Sequence, residues 1–420
     1  MYNSSNISTN NKVRKQKNAL ALNKADVYVG IYILYQLQDI LYPAGVINQT
    51  LLLLFFIFSI IRGFKYILPL KKQSFLLTST SLLLWMYIIY GAAFIISPPQ
   101  YSAKGTPVYF YLLNSLISLL PILVFYDFLK NGVISKKRLI YYLLPLIILY
   151  ILHYYRLQNF FIIQSAEEGI FNEEFTNNTG YSFLSLIPLT LLLKNKLTRF
   201  SCMIILVIFI FSAFKRGAIL ITSIVLLVIF LNDLRNIKNI RNLISSVSLL
   251  LIASLLIINY VSNKYETSEY LQNRIESTEE GDTSNRDIIY GEVAQSYLNG
   301  NFYQLLFGRG ADSTFEAANN YAHQDWLETL HNNGILGAFL LFLFYLSIFL
   351  GVRKLKNKVI SRVLISFWAL FIICFLKSFF SMSIQGMELG TTMMLGYLAF
   401  LDSQHEFNKI EDNNSLKLVV

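Results

Sequence analysis

The stretch AHQDWLETLHNN places His323, Asp325, Glu328 and His331 in one short segment, a set of imidazoles and carboxylates suited to holding a metal or moving a proton. No HExxH or comparable zinc spacing accompanies them, so metal ligation is the weaker reading. An imidazole with a pKa of about 6.5 beside carboxylates suits a general base at neutral pH; a surface histidine is the plain alternative for His323. His153, near the outer end of an apolar run, and His405, in the C-terminal tail, offer less. Three arginines suit anions. Arg216 follows Lys215 and precedes Gly217 in FSAFKRGAIL, where the basic pair invites either an anionic ligand or a lipid phosphate. Arg286 stands in SNRDIIY, where Ser284 or Asn285 can cap a helix and set the guanidinium near its N-terminus; both features favour phosphate. Its alternative is a salt bridge to Asp282, Asp287 or Glu292. Arg309 lies between Gly308 and Gly310, whose backbone can approach a ligand closely, although a simple turn accounts for GRG as well. The acidic run Glu279 to Asp282 reads as a solvated loop. No P-loop or GxGxxG follows a strand pattern anywhere, so a nucleotide is not indicated.

The elements that must position these groups are membrane helices. Of 420 residues, 55% are apolar and 14% charged, a composition that fits a water-soluble globule poorly. The apolar residues have room for about ten to twelve crossings at roughly 20 residues each. Runs over 27–45, 46–61, 74–96, 108–128, 139–155, 179–193, 200–214, 217–231, 242–260, 334–352, 363–381 and 388–402 predict twelve helices in a single transmembrane domain spanning 1–420. Three of them, 179–193, 200–214 and 217–231, span only about 22 Å each and must recruit flanking residues to cross. Cys202 and Cys374 both sit in apolar runs, which leaves no disulfide framework or thiolate metal cage.

Loop charge sets the expected orientation. Of the 35 basic residues, 26 fall in segments placed inside if the N-terminus is cytoplasmic, and only eight in outer segments, the bias that favours both termini in the cytoplasm. The net charge of +10 is therefore mostly a topology signal, and a nucleic-acid partner is not expected. Lys377, four residues from the outer end of its run, reads as a snorkelling side chain. Scarce charge at mid-bilayer depth argues against an ion-coupled transporter. The long outer loop, 261–333, carries 12 carboxylates against Lys264, Arg274, Arg286 and Arg309. Within it Ile288, Ile289, Val293 and Tyr297 recur at helical spacing and predict a short amphipathic helix. A second helix, from the HQDW stretch, is expected to lead straight into the tenth span.

HQDWLETLHNNGILG resembles the signature of bacterial O-antigen polymerases and O-antigen ligases, HNxYLxxLxxxGxxG near the end of a long outer loop. His323, Leu327, Leu330, Gly334 and Gly337 match; Gln324 stands where Asn is usual and Trp326 where Tyr or Phe is usual. The family also places an Arg-Gly pair at an outer helix end, an arginine early in the long loop and a GxG turn before the histidine, in the order found here. With motifs, the resemblance covers roughly 200–350.

What this resemblance implies is an all-α polytopic fold of about twelve spans, similar to lipid-linked glycosyltransferases of the GT-C type, in the bacterial plasma (inner) membrane. The substrates would be undecaprenyl-diphosphate-linked glycans in contact with membrane lipid. An acceptor hydroxyl would attack the anomeric carbon while the lipid diphosphate departs, with inversion and with neither metal nor cofactor. Arg216 and Arg286 would bind the diphosphate, His323 would orient or deprotonate the acceptor, and Arg309 would assist at the leaving group. Lys215, Gly308, Gly310, Asp325 and Glu328 complete the expected substrate contacts. Polymerisation of oligosaccharide repeats into O-antigen (the polysaccharide part of lipopolysaccharide) or capsule is the leading expectation, with a chain-length regulator as a possible protein partner. A ligase that hands finished polymer to an acceptor is the runner-up, and a flippase for the same lipid-linked sugars is the rival from another class.

Overall fold

A computed structural model describes residues 22–41, 45–68, 74–96, 109–168, 177–236 and 286–417, with isolated positions between 255 and 272. The expected span 242–260 falls outside the described residues apart from two isolated positions. The acidic run Glu279 to Asp282, Arg274 and the capping candidates Ser284 and Asn285 lie outside them entirely. All regular structure described is helical: α1 (Lys24–Leu41), α2 (Val46–Ile67), α3 (Phe75–Ile96), α4 (Tyr109–Lys130), α5 (Lys136–Tyr141), α6 (Leu143–Glu168), α7 (Thr179–Leu184), α8 (Ile187–Leu191), α9 (Lys196–Ser212) and α10 (Arg216–Asn236) come first. Then follow α11 (Arg286–Leu298), α12 (Phe302–Phe307), α13 (Ser313–Ala318), α14 (Asp325–Lys354), α15 (Ser361–Phe380) and α16 (Leu389–Lys417).

Among the described residues, seven stretches are long and apolar enough to cross a membrane: α2, α3, α4, the α5–α6 run, α10, α14 and α15. The chain is a polytopic, membrane-embedded protein. Twelve spans are expected from the sequence; one of them, 242–260, lies outside the described residues, and two others depart from a single long helix for local reasons. The run 179–193 is split into α7 and α8 at Ser185 and Leu186, with Pro188 in the first turn of α8, a position that proline suits. α9 has 17 residues, about 26 Å of rise.

Interhelical contacts follow membrane rules, in which small residues admit close approach and hydroxyls bond across helices. At Gly396 of α16, a Cβ would stand 2.7 Å from the Phe125 Cβ and 2.9 Å from the Ile122 carbonyl of α4. The Ser79 hydroxyl of α3 lies 2.7 Å from Ser347 Oγ of α14. Tyr28 of α1 stacks on Phe55 of α2 at 4.6 Å between centroids. Asp127 of α4 is fully buried; it accepts from the Tyr66 hydroxyl at 2.9 Å and pairs with Lys65 and Arg62 of α2. Replacing Gly396 by valine drives methyl groups into the α4 backbone. A loss of about 1–3 kcal/mol is expected, read as a lower thermal midpoint of the detergent-solubilised protein, whereas Gly30→Ala, with open space around its Cβ, should leave that midpoint nearly unchanged.

Candidate functional site

The HQDW segment is organised around a broken helix. α14 begins at Asp325 and runs into an apolar span, as expected, but Gly334 has φ 71° and ψ −171°, a conformation open to glycine. The break releases the carbonyls of His331 and Asn332 from their helical partners. The GRG turn fills them: the amide of Arg309 donates to His331 O at 2.9 Å and that of Gly310 to Asn332 O at 3.0 Å. Gly308, at φ 83°, has no room for a Cβ against the Asn332 carbonyl, and neither does Gly334 against Leu306. The close approach of Gly308 and Gly310 is thus to α14, not to a ligand.

Arg309 is spent in the same way. Its Nη2 donates to Ser296 O at 2.6 Å, in the last turn of α11, where a guanidinium satisfies a free carbonyl and opposes the helix dipole. Ser296 is ten residues beyond Arg286, about 15 Å along the helix. Arg309 and Arg286 mark opposite ends of α11, which corrects the expectation that Arg309 assists at the same leaving group. α11 itself agrees with its predicted amphipathic pattern through Ile289 and Val293, both buried, although Ile288 faces outward.

Of the two histidines, His331 is buried and His323 exposed. Ser313 donates its single proton to Asn332 Oδ1 at 2.8 Å, so His331 Nδ1, 2.8 Å from Ser313 Oγ, takes the proton-bearing role, and Nε2 accepts from Ser296 at 3.1 Å. His331 is therefore a knot joining α11, α13 and α14. Glu328 is another: Oε2 accepts from Thr314 at 2.6 Å and Oε1 from the Ala322 amide at 2.6 Å, while the His323 amide also donates to it. This clasp holds His323 in the left-handed region, at φ 52°, with its ring 6.3 Å from that of Tyr321. Asp325 accepts from the Tyr345 hydroxyl at 3.1 Å and the Ile384 amide at 3.2 Å. Asp325 and Glu328 are expected from sequence to touch substrate; in the structure both are buried and engaged with protein donors, so they position their neighbours. Among the described residues no three His, Cys, Asp or Glu side chains gather as metal ligands.

The basic residues meet elsewhere, around Tyr181 of α7. Its hydroxyl would collide with a Cβ at position 217, and Phe380 Cβ would lie 2.8 Å away; the KRG glycine is what lets the start of α10 close onto α7 and α15. Lys215 Nζ is 6.0 Å from the Tyr181 ring centroid and Lys377 Nζ 5.3 Å, both within cation–π range. Arg286 and Glu388 act electrostatically on the same phenol. Lys377 does not snorkel: it is 5% exposed and holds both oxygens of Glu388, at 2.9 and 3.0 Å. The HQDW segment docks beside it, through Trp326 Nε1 to Ser378 Oγ at 2.9 Å. The structure thus brings Lys215, the Arg216–Gly217 backbone and Arg286 to Tyr181 and adds Lys377 and Glu388, with Asp325 feeling the Lys377 charge; His323 stands apart from these contacts, in the loop that Glu328 clasps. Tyr181 and Glu388 gave no sequence signal beyond falling at the outer ends of apolar runs.

No protein-family model matches the chain, and neither does any curated protein. Fold and site define an all-helical polytopic membrane protein with a cationic group gathered on one tyrosine.

Removing one member of the Lys377–Glu388 pair leaves a buried charge uncompensated. Glu388→Gln is expected to destabilise the protein by about 3–5 kcal/mol, and Lys377→Met added to it should restore much of the loss; a thermal-midpoint cycle in detergent that shows additive losses would contradict the pairing.

Proposed function

We propose that this protein is a glycosyltransferase that polymerises undecaprenyl-diphosphate-linked oligosaccharide repeats into a surface polysaccharide, O-antigen or capsule, at the outer face of the bacterial plasma membrane. The observation that supports it is the convergence of Lys215, the start of α10 at Arg216, Arg286 and Lys377 on Tyr181. Glu388 neutralises one of these cations, which leaves excess positive charge for an anion. Guanidinium forks match phosphate oxygens, and fixed positive charge steadies a departing diphosphate.

In this reading Arg216 and Arg286 grip the diphosphate. An acceptor hydroxyl attacks the anomeric carbon from the face opposite the leaving group, the bond from that carbon to the diphosphate oxygen breaks, and the acceptor proton passes to His323. Arg309 holds α11 and thereby Arg286. The full chain has about twelve spans of GT-C type, with both termini cytoplasmic and 261–333 outside, and a chain-length regulator is its natural protein partner. The ligase differs in acceptor, not in donor.

Arg286→Ala or His323→Ala should stop chain extension with the protein still present in the membrane, and a wild-type ladder on gels of surface glycans would refute the roles. Arg309→Ala should give a shortened ladder, since one lost charge-assisted bond costs about 1.5–3 kcal/mol. A strain without the protein separates polymerase from ligase: single repeats on the surface acceptor mark the former, long chains stranded on the polyprenyl carrier the latter.

A further inference from the structure

Away from Tyr181, where α5, α9 and α15 begin, four basic residues from separate stretches converge: Lys136 opens α5, Lys194 lies before α9, Arg199 is in the first turn of α9 and Arg362 in that of α15. Arg362 is the hub. Its Nη1 donates to the carbonyls of Leu193 and Lys194, both at 3.1 Å, which fixes the guanidinium over the end of α8. Its charge acts on Lys136 and on Arg199, and the Lys194 charge also acts on Lys136. Among the described residues the only carboxylate acting on Lys136 or Arg199 is Asp233, felt at Arg199. Arg362 Nε is buried with no acceptor.

Like charges that act on one another repel, and an unpaired buried donor costs free energy; an anion lying among them relieves both. The group opens outward, because Lys194 is exposed. Beside it Leu197 and Ile360 are 73% and 57% exposed, apolar side chains next to charged ones, as at the border between acyl chains and headgroups. The three stretches involved, around Lys136, Lys194 and Arg362, are among those that loop charge assigns to the cytoplasm, the leaflet rich in anionic lipid.

We infer that Lys136, Lys194, Arg199 and Arg362 form a binding site for a phosphate anion, supplied by the headgroup of an anionic phospholipid in the cytoplasmic leaflet. It is separate from the diphosphate site proposed above and stands whether or not that function is right. Leu197 and Ile360 face the acyl chains, and Arg362 Nε gains its acceptor from a phosphate oxygen.

The test uses the full-length protein in neutral detergent, with native mass spectrometry after adding equal amounts of cardiolipin and phosphatidylcholine. Cardiolipin adducts should exceed those of phosphatidylcholine and weaken about twenty-five-fold in the double variant Lys136→Gln, Lys194→Gln, since each basic residue near the surface contributes about fivefold. Lys194→Gln alone, at an exposed position, keeps the test sound if the double variant fails to fold, and should weaken them about fivefold. Lys356→Gln, exposed in the turn before α15, should leave them unchanged. Undiminished adducts in Lys194→Gln, or equal loss with Lys356→Gln, would overturn the site. Thermal stabilisation by inorganic phosphate alone, absent in Lys194→Gln, would overturn the lipid as its source and keep the anion site.

Discussion

A carbonyl freed where protein buries it has to find another donor, because an unpaired buried one costs free energy. The break at Gly334 frees two, at His331 and Asn332, and the amides of Arg309 and Gly310 take them up. Much else follows from that exchange. The Tyr90 hydroxyl of α3 donates to the Phe307 carbonyl and lies 3.2 Å from the next freed one, Asn333 O, tying the break and the turn before Gly308 to the bundle. Once the GRG turn is seated, Arg309 reaches the end of α11, and Ser296 and Ser313 close on His331 from two sides. The first turns of α14 are then carried to the end of α15, where Trp326 and Asp325 find Ser378 and Ile384.

Charge is handled by a second rule. A basic side chain in a low-dielectric region is costly unless paired, and Lys377 is paired with Glu388 across the 381–388 segment. The pair is close to neutral, so it shapes the site more than it charges it: the ammonium lies against the Tyr181 ring and near Asp325. The excess positive charge comes from Lys215, Arg216 and Arg286, all at or beside helix N-termini, where the macrodipole adds to the same sign. An anion is the natural complement.

Hydropathy made the long helices legible, because a crossing of about 20 apolar residues leaves a plain signal; α3, α4 and α15 lie within two residues of their expected limits, while α2 and α10 start as expected and run on through polar and basic residues to Ile67 and Asn236. The amphipathic α11 was legible from its spacing, and so was the passage of the HQDW helix into a span. The fates of individual groups were not. His323 and His331 look equivalent in sequence, and only the loop that Glu328 clasps buries one and exposes the other. Lys377 read as snorkelling because its partner lies eleven residues on, beyond a turn whose path no local pattern dictates. Tyr181 is an ordinary aromatic in an apolar run until Gly217 brings α10 against it.

These assignments change what the motif itself reports. Of its residues, Glu328, His331, Asn332, Gly334 and Gly337 are buried or packed against their surroundings; their contacts maintain the break and the loop around it. Asp325 and Trp326 dock the segment on α15. His323, by contrast, is exposed. A sequence can thus carry the pattern because it needs the architecture, with little of the chemistry written in it. Residues bordering Tyr181 are under no such constraint, since they can vary without costing the helix break its hydrogen bonds.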